Sequence, residues 1–242
     1  MKTIKLTTYN IQHGHLHLRE RNVIDLPRMA EVAGGTGASI FGFNEVRQGD
    51  GSIEGYPDMP EILAGLLGGE PIFGHAIDFG PGMGYGNLLV SRLPILESSV
   101  ITIPDPNPRA YTGYYETRCV IRAKIDCGGT PLTIFDSHFG LNPDEQENAA
   151  ATILPMVERE AGPVVLMGDF NLTPDSPVYA RLASVLTDAA AATGETGPTY
   201  PSDAPERRID YIFVRGARVI DAHPVSVMAS DHLPLTAEIE LP

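Results

Sequence analysis

Short runs of apolar and polar residues predict strands separated by helices from the start of the chain. Residues 4–8 alternate between apolar and polar side chains, which is typical of a strand that ends at Asn10. The apolar positions of residues 26–33 recur with helical spacing, and two glycines follow them. Residues 39–43 are a short apolar run that predicts a strand leading into Glu45.

The rest of the chain continues this scheme. Further helices are predicted at residues 62–67, at 144–160 behind the cap residues Asn142 and Pro143, and at 177–186. Further strands are predicted at residues 71–77, 87–91, 96–103, 118–126, 132–137, 164–167, 209–214, 217–227 and 235–241. Two sets of strands with helices between them indicate two packed sheets covered by helices.

Composition indicates a chain with a substantial core. Of its 242 residues, 43% are hydrophobic, and chains of this length commonly fold as one α/β unit. No linker-like, repeated or low-complexity segment divides the sequence, so we expect one domain over residues 1–242. No apolar stretch has the length of a signal-peptide core or a membrane span, which favours a cytoplasmic protein.

The charge balance constrains the partner. Seventeen Lys and Arg stand against 31 Asp and Glu, a net charge of −14. Non-specific DNA binding depends on cations that displace counterions from the phosphates, so nucleic acid is disfavoured, although a local basic cleft is still allowed. Residues 49–58, expected at the rim of the site, include Asp50, Glu54 and Asp58 and no Lys or Arg. A small phosphoester or a phospholipid headgroup fits this charge better.

Acidic and amide side chains collect where the predicted strands end. They are Asn10, Asn44-Glu45, Asp169 and Asn171 in Gly-Asp-Phe-Asn, Asp210, and finally Ser-Asp-His at 230–232. Oxygen ligands brought to one edge of a sheet suit a hard divalent cation and a phosphate, and an Asp-His pair supplies proton chemistry.

Taken in this order, the clusters resemble the endonuclease/exonuclease/phosphatase superfamily, the metal-dependent phosphoesterases with the pancreatic deoxyribonuclease fold. The resemblance runs from Tyr9 to His232. It implies an α/β fold, a four-layer sandwich of two packed, mostly antiparallel β-sheets flanked by helices, with the site at one end of the sheets. It also implies hydrolysis by in-line attack of water with Mg²⁺ or Mn²⁺ as cofactor.

The resemblance carries metal-site roles onto three residues. Glu45 corresponds to the principal metal ligand, although a strand-end carboxylate in solvent is the alternative. Asn10 corresponds to the asparagine beside the metal that helps to hold phosphate and water. Taken alone, it would be interpreted as a turn residue. Asp231 would be a ligand on the metal side or a support for that site.

The catalytic roles fall on four further positions. Asp169 would orient or deprotonate the attacking water and Asn171 would contact the phosphate, the alternative for either being an Asx turn. Asp210 and His232 would form a pair in which the carboxylate fixes the imidazole tautomer, so that His232 acts on the water or donates to the phosphoryl oxygen.

His138 corresponds to a phosphate-contacting His or Tyr, with general-acid duty as a further option. Deoxyribonuclease-like members pair that histidine with a glutamate, whereas the corresponding stretch 85–87 has Asn87 and no acid. Asn87 is therefore a candidate substrate contact.

Several cationic side chains accompany these motifs. Arg118 and Arg47 are candidates to bind phosphate, or alternatively surface ion-pair partners, and Arg208 is expected to brace the site. His13, His15 and His17 alternate, so they would either bind a transition metal along one side of an extended segment or belong to a loop at the rim.

The sequence thus predicts a metal-dependent phosphoric ester hydrolase, either a phosphodiesterase or a phosphatase, acting on a small molecule or lipid headgroup. The alternative is an endo- or exonuclease that cleaves DNA or RNA. A third hypothesis is a non-catalytic binding module on the same scaffold, disfavoured because the principal site positions are filled. The oligomeric state is left open.

Overall fold

The computed structural model describes residues 2–17, 23–49 and 57–242. The strands are β1 (Lys2–Asn10), β2 (Ile40–Gln48), β3 (Glu70–Asp78), β4 (Gly84–Ser91), β5 (Ile95–Ile103), β6 (Arg118–Asp126), β7 (Pro131–Ser137), β8 (Val164–Asp169), β9 (Thr187–Asp188), β10 (Asp210–Arg215), β11 (Arg218–Pro224) and β12 (Leu235–Leu241). The helices are α1 (Leu26–Gly35), α2 (Met59–Leu67), α3 (Pro143–Arg159), α4 (Pro177–Ala183) and α5 (Ala189–Thr193), with a 3₁₀ turn at Gln12–Gly14.

These strands form two six-stranded sheets. The first has the order β11-β12-β1-β2-β4-β3 and the second the order β5-β6-β7-β8-β10-β9. Each sheet contains one parallel pair, β1 with β2 and β7 with β8, and its other pairs are antiparallel. Parallel neighbours end at the same edge of a sheet, so the ends of these central pairs bring the predicted site residues together.

Three groups of buried apolar side chains hold the layers together. The largest lies between the sheets and joins residues such as Leu6 and Ile40 of the first to Ile121 and Ile134 of the second. The outer face of the first sheet packs on α1 and α2, and that of the second packs on α3 and α4. Each fully buried Leu or Ile stabilises the fold by roughly 1.5–3 kcal/mol. The predicted four-layer α/β sandwich is confirmed.

Polar residues before the helices explain where α1, α3 and α4 begin. Asp25 accepts the backbone N–H of Arg28 at 2.9 Å ahead of α1, and Ser176 accepts from Val178 ahead of α4. Asn142 and Glu145 form a capping box at the start of α3, where Glu145 accepts the backbone N–H of Asn142. These side chains satisfy amide groups that a helix leaves without partners at its first turn.

Several of the predicted boundaries are wrong, among them the starts of α2 and β4 and the end of β11, each displaced by three residues. Strand β2 does not end before Glu45, because it continues to Gln48 through a bulge where the pairing with β4 shifts between Phe43 and Val46. Helix α4 ends at Ala183 rather than at residue 186. The short elements β9 and α5 were not predicted, because two residues and five residues are too few to show a period.

The expected acidic rim can be followed only in part, because Asp50 and Glu54 lie outside the described residues. Its last member, Asp58, precedes α2. Within the described ranges, none of the helices has both the length and the hydrophobicity needed to cross a lipid bilayer.

Candidate active site

The side chain of Asn10, at the end of β1, joins two carboxylates from different sheets. Its Nδ2 donates to Glu45 Oε1 and to Asp169 Oδ2, each at 3.0 Å. Its Oδ1 accepts the backbone N–H of Gln12 at 3.0 Å. The oxygen of Asn10, predicted as a metal ligand, thus accepts from the 3₁₀ turn, and its amide nitrogen faces the two carboxylates.

Glu45 occupies the bulge in β2 with a left-handed backbone, φ 59°. A bulge redirects a side chain that would otherwise alternate with its neighbours, and here Glu45 turns toward Asn10. Burial raises the pKa of Glu45 above its ordinary value, a hydrogen bond from Asn10 opposes that shift, and the charge of Asp231 adds to it. The local backbone therefore presents a partly buried carboxylate in an acidic setting.

Backbone strain concentrates at this end of the molecule. The non-glycine residues with positive φ among those described are Gln12, His13, Glu45 and Asn171, with φ between 46° and 59°. Each such residue is held at a cost of order 1–3 kcal/mol. All four lie in the strand ends and turns around Asn10 and Asp169, which marks this region as a candidate functional site.

Asp169, the last residue of β8, is the centre of the cluster. Its Oδ2 accepts from Asn10 at 3.0 Å and lies 3.5 Å from His138 Nε2 and 3.6 Å from His232 Nε2. Its Oδ1 accepts the backbone N–H of Asn171 at 2.9 Å. Burial is the main reason why the pKa of Asp169 rises to about 7. A carboxylate with such a pKa can take up a proton near neutral pH.

Asp210 and His232 form a buried pair beside Asp169. His232 Nδ1 lies 2.9 Å from Asp210 Oδ2. Burial alone would lower the pKa of His232, but the charges of Asp210 and Asp169 outweigh it and raise the pKa to about 10. The ring is therefore an imidazolium near neutral pH. In this state the ring donates hydrogen bonds, which suits the predicted donation to a phosphoryl oxygen.

The donor set of the site fits a divalent cation. Carboxylate oxygens of Asp169 and Asp210 lie within 4.8 Å of each other and of a ring nitrogen of His232, and Asp210 Oδ1 is buried with no hydrogen-bond partner among the described residues. Glu45 and the half-buried Asp231 add two carboxylates, of which Asp231 accepts from Ser230 Oγ at 3.1 Å. Carboxylate oxygens are the ligands that hard divalent cations prefer.

Comparison with known proteins assigns this architecture. The model of the Endonuclease/Exonuclease/phosphatase family matches residues 7–232. The chain belongs to this family. This match confirms the predicted resemblance. Members of the family are generally hydrolases that depend on a divalent metal.

Relatives of known structure and sequence agree with that assignment. A family protein from Beutenbergia cavernae superposes with a TM-score of 0.85 at 24% identity, covering 100% of this chain and 72% of its own. The mannosyl-6-phosphatase of Bacteroides thetaiotaomicron superposes with a TM-score of 0.77 at 18% identity, covering 98% and 99%. A UPF0294 protein of Yersinia pseudotuberculosis is 35% identical over 109 residues, 45% of this chain and 42% of that protein. The chain thus spans less than half the length of this curated relative.

His138 and Arg118, both predicted to meet the phosphate, contact each other in the structure. Arg118 Nη1 lies 3.1 Å from His138 Nδ1 and also pairs with the carboxylate of Glu116. Burial, reinforced by the charge of Arg118, lowers the pKa of His138 well below its ordinary value. A neutral His138 is not a general acid of the imidazolium type. Arg118 is buried like the other members of the cluster, and its guanidinium lies against His138.

Asn87 also lies beneath the site instead of facing it. It is 2% exposed, and its Oδ1 accepts from Asn44 Nδ2 at 3.1 Å. Its own amide nitrogen donates to the backbone oxygen of Cys119 at 3.2 Å. Asn44 in turn accepts the backbone N–H of Asp169 at 2.8 Å. The predicted substrate contact is therefore a residue that positions Asn44 and, through it, Asp169.

The remaining candidates surround the cluster. Asn171 Nδ2 donates to the backbone oxygen of Phe139 and lies 3.0 Å from His138 Nε2, so its amide is engaged within the protein. Arg47 packs over the ring of Phe79 at 4.6 Å from its centroid. Arg208, expected to brace the site, donates to the buried carboxylate of Asp188 at 2.6 Å.

The three alternating histidines do not form one metal site. His13 Nε2 lies 3.4 Å from Glu45 Oε2, whereas His17 pairs with Asp203 at 2.9 Å. The ring of His15 meets that of His13 edge-on with centroids 6.2 Å apart. Only His13 of this set contacts a carboxylate of the cluster.

Sequence reasoning missed two neighbours of the site. Tyr200 lies against His232 with ring centroids 4.8 Å apart, and nothing in its local sequence indicates this position. Glu116 holds Arg118, and the signal for it was present, because residues two apart on an extended chain point to the same side.

Proposed function

We propose that this protein hydrolyses a phosphoester with the help of a divalent cation, and that its substrate is a small molecule or a headgroup. The convergence of Asn10, His138 and His232 on a single oxygen of Asp169 carries the proposal. This arrangement surrounds one proton-accepting oxygen with three side chains that can donate hydrogen bonds. The nearby carboxylate of Glu45 supplies a cation ligand on the same side of Asn10.

Each side chain then has a chemical role. Asp169 accepts the proton of the attacking water, because its pKa of about 7 suits a general base. His232, kept protonated by Asp210, donates a hydrogen bond to a phosphoryl oxygen as negative charge develops there. Glu45 and Asp231 would hold the cation. That cation, when bound, polarises the phosphoryl group and stabilises the leaving oxygen.

Two observations support a small substrate. The net charge of −14 disfavours the long phosphate backbone of a nucleic acid. Exposed aromatic side chains also lie near the site, because Tyr114 is 61% exposed and its hydroxyl donates to Glu116, the partner of Arg118. Such rings suit an apolar or aromatic group on the substrate. The structural likeness to a mannosyl-6-phosphatase is consistent with a sugar phosphate.

A substrate screen tests the proposal. Sugar phosphates, nucleotides, phospholipid headgroup esters, DNA and RNA would be incubated with the protein and Mg²⁺ or Mn²⁺, and phosphate or alcohol release measured. We expect turnover of a small ester that EDTA abolishes. Faster cleavage of DNA or RNA would replace our substrate class with a nuclease, and no cleavage of any ester would contradict the proposal.

Two variants assign the activity to the site. Asp169→Asn should lower kcat by about 10³-fold, because it removes the proton acceptor and keeps the shape of the side chain. His75→Ala is the matched control, since His75 is exposed and pairs with Asp78 away from the cluster. An Asp169→Asn variant with unchanged kcat would show that the base lies elsewhere.

A further inference from the structure

The contact between His13 and Glu45 has no role in the mechanism above. His13 Nε2 lies 3.4 Å from Glu45 Oε2. This distance exceeds the usual N–H···O hydrogen-bond length of about 2.9 Å. It matches two ligand atoms that share one cation, because two bonds of about 2.1 Å at tetrahedral to octahedral angles separate the ligand atoms by roughly 3.0–3.4 Å.

The neighbours of Glu45 direct its second oxygen toward His13. Asn10 donates to Oε1, so Oε2 is the oxygen on the side of the histidine. Both side chains remain accessible to an ion from solvent, with 20% of His13 and 23% of Glu45 exposed. The oxygen and the nitrogen therefore lie across a 3.4 Å gap between two partly exposed side chains.

Aromatic packing and an interaction with the backbone of Glu45 hold the imidazole of His13. Its Nδ1 is buried with no hydrogen-bond partner among the described residues. The rings of Tyr85 and Phe79 lie against it, with centroids 5.3 Å and 6.4 Å away. His13 and Glu45 also share a left-handed backbone, φ 57° and 59°, which aims both side chains into this gap.

We propose that His13 is a nitrogen ligand of the cation held by Glu45, and that it shifts the preference of this site from Mg²⁺ toward first-row transition metals. The inference rests on the proposed function in that it concerns the same cation. Imidazole is a good ligand for transition metals, whereas Mg²⁺ favours sites made of oxygen alone. Asn10 donates to the other oxygen of Glu45, so His13 is the neighbour of Oε2 in the proposed ligand set.

Direct metal binding tests this inference without any assay of catalysis. The full-length, metal-stripped protein would be titrated with Co²⁺ and separately with Mg²⁺ by calorimetry. We expect His13→Asn to weaken Co²⁺ binding by about tenfold or more and to leave Mg²⁺ binding within about twofold. His13→Asp should strengthen Mg²⁺ relative to Co²⁺, because it provides an oxygen ligand.

The variants are chosen to keep the fold, because Asn and Asp are the non-glycine residues that most readily adopt a left-handed backbone. His75→Ala, which alters an exposed histidine, should bind both ions as the wild type does. Unchanged Co²⁺ binding in His13→Asn would overturn the inference, as would an equal loss of both ions, which would mean that His13 only supports Glu45.

The same titration separates the two proposals. In one outcome the wild-type protein binds both ions and hydrolyses an ester, and the His13 variants bind the ions equally well. This outcome keeps the proposed function and shows that His13 is not a ligand. A wild-type protein that binds neither ion overturns the metal-dependent function and this inference together.

Discussion

The side-chain oxygen of Asn44 accepts the backbone N–H of Asp169 at 2.8 Å, although the two residues are 125 positions apart. Asn44 belongs to the first sheet and Asp169 to the second. Because Glu45 directly follows Asn44, this hydrogen bond fixes Asp169, the proposed base, relative to Glu45. Asn44→Ala should lower kcat by about 10²-fold, because a small displacement of a catalytic group has an effect of this size.

The stability of the same variant should fall by about 1–3 kcal/mol, since the N–H of Asp169 would be left buried without an acceptor. Chemical denaturation and steady-state kinetics measure the two effects. Asn148→Ala is the control, because the amide of Asn148 donates to the backbone of Pro104 on the surface. Wild-type kcat in Asn44→Ala would show that Asp169 is positioned by other contacts.

Asp136 gives a pH-dependent prediction for stability. Both of its carboxylate oxygens are buried with no hydrogen-bond partner among the described residues, and burial raises its pKa well above the ordinary value. Below the ordinary pKa, both the folded and the unfolded chain hold the proton. As the pH rises toward the folded-state pKa, the unfolded chain loses its proton while the folded protein keeps it, so this group's contribution to stability is lost.

Asp136→Asn should therefore match the wild type near pH 4 and exceed its free energy of unfolding by about 1–3 kcal/mol at neutral pH. Urea titrations of both proteins at several pH values measure the difference. A gap that stays constant with pH would mean that Asp136 has an ordinary pKa.

Two ion pairs allow a matched test of burial. Glu116 and Arg118 are both buried, whereas Glu97, 51% exposed, pairs with Arg122 at 2.9 Å. Glu116→Gln should destabilise the protein by about 3 kcal/mol, because it leaves a buried guanidinium without its counter-charge. Glu97→Gln should cost less than about 1 kcal/mol. Thermal unfolding of the two variants under one condition measures both losses of stability. Equal losses would contradict the assignment of a larger effect to the buried pair.

Two glycines provide a second matched pair. Gly168, with φ 143°, lies so close to Ser137 that an added Cβ would overlap the backbone oxygen of that residue. Gly168→Ala should therefore disturb the pairing of β7 with β8 and destabilise the fold by more than about 3 kcal/mol. Gly65, exposed in α2, has nothing within 4 Å of the added atom, so Gly65→Ala should stabilise by up to about 1 kcal/mol. Denaturant midpoints of the two variants measure these changes in stability. A Gly65→Ala variant less stable than Gly168→Ala would contradict the prediction.

The layers of the fold could be predicted from sequence, because they depend on local periodicity. The apolar runs that end at Asn10 and Asp169 are long enough to identify β1 and β8 and the edge where both finish. The bulge at Glu45 could not be predicted, since it arises from the register of β2 against β4, which is a tertiary property.

The chemical types of the site residues could be predicted better than their orientations. Asn10 and Asp169 were expected at one place, and the structure brings them within hydrogen-bonding distance. Which way the amide of Asn10 turns depends on the backbone of Gln12, and the charge state of His138 depends on Arg118 beneath it. Such details require contacts between segments that no single stretch of sequence contains.

The position of β12 has a consequence for synthesis of the protein. This last strand lies between β11 and β1, so the first sheet cannot close until residues 235–241 have left the ribosome. His232 is made only shortly before them. A translation product that stops before residue 232 would lack both, so the pair of Asp210 and His232 cannot form while residues 1–231 alone have been made.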